Sequence, residues 1–120
     1  MALRAISMLL LVAGLGGCYY DNEEELYPGR FCEVGVATDA GYYAATVEPI
    51  LQSRCAIPGC HVPGGTGPGD FNQYTEVKAK VDAGSFQQQV LQSRAMPPSG
   101  PLPSCELLKL QAWLDAGAPN

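Results

Sequence analysis

Two thiols and an imidazole stand together at one place in this chain, Cys55-Ala56-Ile57-Pro58-Gly59-Cys60-His61. Four residues separate the cysteines, and His61, directly after the second, is the sole histidine of the protein. As thiolates the cysteines are nucleophiles and soft metal ligands, and a neutral imidazole offers one nitrogen lone pair to a metal. Three chemistries are open to such a set. The thiols can close a small disulfide loop, they can join His61 and a further thiolate around zinc, or they can add to an electrophilic partner while the imidazole ligates a metal. The Cys60-His61 adjacency disfavours zinc, because neighbouring side chains struggle to reach two corners of one tetrahedron.

The third chemistry has a known sequence form. A Cys-x-x-Cys-His run reads as the attachment site of a c-type haem. The present segment resembles it with two extra residues between the thiols, a minority variant of the motif among c-type cytochromes. In that motif each thiolate adds across a haem vinyl group to leave a thioether, and the following imidazole presents a nitrogen to iron. Such chemistry needs a turn between the sulfurs. Pro58 pre-sets φ for the second position of a β-turn and Gly59 tolerates the positive φ wanted at the third. The insert is expected to loop outward while both sulfurs stay near the macrocycle.

The elements that must position this segment begin with a targeting signal. Arg4 precedes an apolar run from Ala5 to Val12 and beyond, which ends in Leu15-Gly16-Gly17-Cys18. The pattern reads as a signal peptide over residues 1–17. Its last four residues resemble a bacterial lipobox, which implies that Cys18 becomes the lipidated first residue of the mature protein. The apolar run falls short of the roughly 20 residues needed to span a bilayer. The expected location is outside the cytoplasm, lipid-anchored to a bacterial membrane at its periplasmic face or at the cell surface. Disulfides and covalent haem attachment are both possible there. Of the five cysteines, one would carry lipid and two haem, leaving Cys32 and Cys105. An even remainder in an exported protein suggests a bridge between them, the alternative being that both are free.

Residues 18–41 form an acidic, extended tether and lead-in. Asp21-Asn22-Glu23-Glu24-Glu25 has no apolar period and reads as a solvated linker, with a surface-sorting tag as the alternative. Pro28, Gly29, Gly35 and Gly41 interrupt the stretch up to 41, so an extended lead-in held at Cys32 is expected. The domain proper is placed at 42–120. A brief helix from about Pro49 to Arg54, with Val47, Ile50 and Leu51 apolar, would deliver the chain into the Cys55 turn. Residues 62–69 are rich in glycine and proline and read as loop. Asn72 is a candidate N-cap for a helix carrying Tyr74, Val77 and Val81 that Gly84 ends. Ser85 is a candidate cap for another carrying Phe86, Val90 and Leu91. Pro97 to Pro103 is a stiff strap, and Pro103 opens a last helix with Leu107, Leu110, Trp113 and Leu114 on its apolar face, closed by Gly117 and stopped by Pro119. The fold class is therefore all-α, with short helices and long glycine- and proline-rich loops.

Met96, directly before the strap, is the only methionine beyond the signal. Val47-Glu48-Pro49-Ile50-Leu51 leading to the thiol motif, Met96-Pro97-Pro98, and Trp113-Leu114-Asp115-Ala116-Gly117-Ala118-Pro119 together resemble a small class I cytochrome c domain over about Tyr42 to Pro119. The resemblance implies short helices wrapped around covalent haem c, with iron held between His61 and Met96. It also implies a proline carbonyl, nearest match Pro68, accepting the other imidazole N–H. Met96 as an ordinary packing residue is the alternative. A domain this small has little apolar core of its own, and a buried porphyrin supplies much of one.

The implied function is one-electron transfer by a monohaem carrier, not an enzyme, with both axial positions filled and no small-molecule substrate. Redox partner proteins and the membrane, reached through the lipid anchor, are the implied partners. Net charge is −5 and becomes one unit more negative when Arg4 is removed. Nucleic acid is excluded as a ligand, since phosphate binding needs a basic patch. With one histidine committed to metal, no catalytic triad can be assembled. Two other readings stand beside the carrier: a haem sensor or peroxidase-like site with an open iron position, and a haem-free structural lipoprotein stapled by disulfides.

Overall fold

The computed structural model describes residues 26–120. The signal at 1–17, the lipidation site Cys18 and the acidic run at 21–25 lie outside the described residues. Among the described residues the regular structure is helical and no strand occurs. Helix α1 spans Pro28–Phe31. A π-helical turn at Tyr43–Val47 runs directly into α2, Glu48–Arg54, and α3 covers Tyr74–Asp82. A second π-helical segment, Gln87–Gln92, precedes α4, at Ser104–Asp115, the longest helix among the described residues. No helix among the described residues is long and apolar enough to cross a membrane.

Local chemistry accounts for most of these boundaries. Pro49 lies in the first turn of α2, with its φ already set for a helix. It also cannot donate to the carbonyl four residues back, and the turn just before it widens, with Glu48 N–H reaching back to the Tyr43 carbonyl. The helix entering the Cys55 turn is thus longer than the Pro49–Arg54 expectation, because it continues N-terminally through that widened turn.

The C-terminus of α4 is closed by a Schellman motif. Gly117, at φ +88°, donates to Leu114 O at 2.9 Å, and Ala118 N–H donates to Trp113 O at 2.9 Å. Gly84 ends α3 in the same conformation and donates to Val81 O at 2.9 Å.

Three expectations are corrected. Asn72 does not cap α3: the N-cap is Gln73, without a side-chain bond, while Asp70 Oδ1 accepts from Asn72 N–H at 3.1 Å in an Asx-turn. Ser85 caps nothing downstream. Its hydroxyl donates back to Lys80 O at 3.1 Å, satisfying a carbonyl left over at the end of α3. The stretch at 26–41 is not wholly extended, since α1 forms a single turn just before Cys32.

The core lies where α2, α3 and α4 meet. Val47, Leu51, Val77, Leu110 and Trp113 are fully buried. On α4 the predicted apolar face is split, with Leu110 and Trp113 inside and Leu107 and Leu114 half-buried against the cluster. Aromatic rings extend the core in a chain. Tyr43 meets Trp113 at 5.7 Å between ring centroids, Trp113 meets Phe86 at 6.3 Å, and Phe86 meets Phe71 at 6.4 Å. Three of the ring systems find backbone partners for their polar ends. Trp113 Nε1 donates to Pro119 O and the Tyr74 hydroxyl to Ala118 O, both at 2.8 Å, and Tyr42 reaches Lys109 O at 3.3 Å. The strap enters this core at one point, the buried Leu102.

Candidate functional site

The Cys55–His61 segment is a closed turn built on the end of α2. Cys55 and Ala56 N–H both donate to Leu51 O at 2.8 Å, which terminates the helix. Cys60 N–H then donates to Ile57 O at 3.0 Å, with Pro58 and Gly59 at the two central positions and Gly59 at φ +84°. Positive φ at the third residue is what a type II turn demands, and glycine adopts it without steric cost. His61 N–H closes the larger ring by donating to Cys55 O at 3.1 Å. Both ends of the Cys-x4-Cys insert are therefore tied together by the backbone.

The following loop folds back over the turn. Thr66 donates twice to Gly59 O, from its N–H and from its hydroxyl, each at 3.0 Å. Gly67 N–H donates to Cys60 O at 3.3 Å. Glycine is required by close approach at two places here. A Cβ on Gly65 would stand 1.9 Å from Cys60 O, and one on Gly67 would stand 2.8 Å from Cε1 and Nδ1 of His61. Sequence reading identified this stretch only as loop. The missed signal is Gly65 and Gly67 soon after the sole histidine, which let backbone lie against the Cys60 carbonyl and the imidazole respectively.

The imidazole is held on three sides. Its Nδ1 lies 3.2 Å from Pro68 O. A carbonyl only accepts, so Nδ1 is the donor in this contact, and in the neutral ring Nε2 is the nitrogen whose lone pair can reach a metal. Phe71 stacks on the ring at 4.0 Å with an interplanar angle of 16°, and Phe71 N–H donates to His61 O at 2.9 Å. Gly67 fills the remaining contact. Phe71 joins His61 to the aromatic chain of the core, so the orientation of the imidazole is coupled to global packing. Nothing in sequence spacing singles out Phe71 for this role.

The four cysteines among the described residues divide into two pairs. Cys32, just after α1, is bridged to Cys105 in the first turn of α4, with Cα atoms 5.4 Å apart. Cys55 and Cys60 remain free thiols. Cys55 is buried, and burial above all pushes its thiol up to about 11, with Glu106 and Cys60 adding to the effect. Glu106 is close because it pairs with Arg54, the residue before Cys55: Arg54 Nη2 lies 2.9 Å from Glu106 Oε1, and Nε donates to Oε2 at 3.1 Å. The fork draws the start of α4 onto the end of α2, and the hydrogen bonds to Glu106 hold the guanidinium pKa above its ordinary value.

Cys55, Cys60, His61 and Pro68 are thus brought together, whereas Met96 is not joined to them by any hydrogen bond. Its N–H donates to Gln89 O at 3.1 Å, and the residue is 37% exposed. Between the turn and the strap runs a cleft of about 220 Å³ lined by Arg54, Ile57, Pro97, Gly100 and Leu102 among others. Among the described residues no three His, Cys, Asp or Glu side chains converge on a common metal position.

The donor set fits a covalently attached haem. There are two unpaired thiols in one backbone-closed turn, an adjacent imidazole whose outer nitrogen is free, and a glycine cradle that keeps its ring in place. No protein-family model, no curated protein and no solved structure matches this chain.

Proposed function

We propose that this protein is a lipid-anchored monohaem c-type cytochrome of class I type that carries one electron at a time. Cys55 and Cys60 are the thioether links, His61 the proximal ligand and Met96 the distal one. When bound, haem supplies reversible one-electron chemistry at iron, and a thioether opposite an imidazole raises the reduction potential relative to two nitrogen ligands. The role of the chain is to hold and tune. The carbonyl of Pro68 selects the imidazole tautomer and orients its ring, as outer partners of ligating histidines generally do. Phe71 and Gly67 restrict its rotation.

The observation that carries the reading is the division of the cysteines. Cys32 and Cys105 are joined to each other, while the two thiols of the histidine-bearing turn stay unpaired and His61 keeps Nε2 free through its bond to Pro68. A haem-free stapled lipoprotein gives no reason for that tautomer or for two free thiols in an oxidising compartment. The exposed Met96 keeps the open-site sensor or peroxidase-like function as the second reading, since a half-exposed thioether is the member of the ligand set least constrained by packing.

The test is a pyridine haemochrome spectrum and intact mass of the protein made in a host with working haem-attachment machinery. One haem per chain is expected, lost in Cys60→Ala and kept in Cys32→Ser/Cys105→Ser. A colourless wild-type product with the bare peptide mass overturns the assignment.

A further inference from the structure

Large apolar side chains stand exposed at few places among the described residues, and those places are not scattered. Leu26 is 63% exposed, Tyr27 55%, Phe31 54% and Val36 59%. The remaining two are Ile57, inside the Cys55–His61 turn, and Met96, directly before the proline strap. The first four precede the core, which starts at Tyr42. Tyr27 and Phe31 are four residues apart around the single turn of α1, and Arg30 N–H donates to Tyr27 O at 2.9 Å to hold that turn. A solvated tether has no use for such residues. Exposed aromatic and aliphatic side chains gathered in one segment mark an interaction surface.

This segment is tied to the domain. α1 packs against α4, and the Cys32–Cys105 bridge joins the two directly after Phe31. Phe31, on that turn and next to the bridge, is therefore held against the domain, with Leu26, Tyr27 and Val36 close to it in sequence.

Chain length identifies what they meet. Leu26 lies eight positions after Cys18, and at no more than about 3.5 Å per step that span reaches roughly 28 Å at full extension. If Cys18 carries lipid, these side chains are confined to the immediate neighbourhood of a bilayer surface, at a high effective concentration of lipid. Tyrosine and other aromatic rings partition to the headgroup level, and an exposed cation such as Arg30 suits phosphate there. The nearby Glu23, Glu24, Glu25 and Glu33 oppose anionic lipids. A zwitterionic interface is the matching surface.

We infer that Leu26, Tyr27, Phe31 and Val36 form an apolar foot that docks into the phospholipid interface and sets the orientation of the domain on the membrane. The inference rests on the lipid-anchor part of the proposed function and adds a second, non-covalent membrane contact to it. Docking would turn a loosely leashed carrier into one presented to its partners in a single pose.

The experiment uses the full mature chain carrying Phe31→Trp, reconstituted in phosphatidylcholine vesicles with and without brominated acyl chains, after mass spectrometry of Cys18. The wild type supplies the background of the buried Trp113, and Gln92→Trp, at an exposed position in the second π-helical segment, supplies a surface control. Expected for Phe31→Trp are a blue shift of the added indole's emission on reconstitution and quenching by brominated lipid several-fold stronger than in Gln92→Trp. Tyr27→Trp should behave as Phe31→Trp does, which guards against a local folding defect. Lipid on Cys18 with Phe31→Trp quenched no more than Gln92→Trp overturns the docking inference alone. A blue shift without bromine quenching overturns it in favour of contact with another protein copy. Absence of lipid on Cys18 removes the anchor and the docking inference together.

Discussion

The Nδ1 atom of His61 and the carbonyl oxygen of Pro68 face each other at 3.2 Å, and Gly67 makes that approach possible by having no side chain. A methyl group there would stand 2.8 Å from the imidazole. Gly67→Ala must therefore push the ring away from Pro68 or distort the loop, and overpacking of this kind typically costs about 1–3 kcal/mol. The expected outcome is a protein that still acquires haem through its thiols but shows a lowered melting temperature and an altered axial-ligand spectrum. Thermal unfolding and absorption spectra of the purified variant provide the check, and an unchanged spectrum would show that ring orientation does not depend on Gly67.

Met96 is the ligand with the least structural support, which makes its replacement informative. The residue is 37% exposed, so truncation removes little burial, and exposed substitutions usually shift stability by about 0.5 kcal/mol or less. In haem-loaded protein Met96→Ala should abolish the weak absorption band near the red end of the visible spectrum. It should also allow carbon monoxide to bind the reduced protein without denaturation. A band that survives the substitution would reject Met96 as ligand, and carbon monoxide binding by the wild type would favour the open-site reading.

Cys55 and Cys60 should differ sharply in reactivity before haem is attached. Burial raises the Cys55 thiol from its ordinary 9.0 to about 11, so the protonated form is the one the fold favours. The stability this represents is fully present below about pH 9 and is lost as pH rises through about 11, amounting to a loss on the order of 3 kcal/mol. In haem-free protein iodoacetamide should alkylate the half-exposed Cys60 first, with Cys55 following only as the solution becomes strongly alkaline or the protein unfolds. Peptide mapping of partially alkylated samples across pH decides this, and equal rates for the two thiols at about pH 8 would contradict it.

The bridge between Cys32 and Cys105 spans 73 residues of sequence. Closing a long loop restricts the unfolded chain, and loss of a native bridge of this kind typically costs about 2–4 kcal/mol. Cys32→Ser/Cys105→Ser should unfold at correspondingly lower denaturant concentration while keeping covalent haem, because neither residue belongs to the turn. Urea titration of both proteins tests it, and a midpoint that does not move would mean that α1 is held on α4 by packing alone.

The sequence alone determined those features of the protein that depend on a few neighbouring residues. The Pro58-Gly59 turn, the proline at the start of α2 and the Gly84 and Gly117 terminations follow from backbone freedom that proline and glycine either restrict or extend. The helical faces through Val77, Val81, Leu110 and Trp113 follow from apolar periodicity. At Ser85 and Asn72 the competition is also local: both have capping chemistry, and which backbone group takes their hydrogen bonds depends on a register of one or two residues.

Only the tertiary structure decided which distant groups share a site. The Phe71 ring on His61, the Glu106 carboxylate beside Arg54 and Cys55, and the exposure of Met96 depend on how α2, α3 and α4 pack. That packing is settled by non-directional burial summed over many side chains. No spacing rule encodes such a sum, which is why the turn can be read from the chain while its surroundings have to be seen.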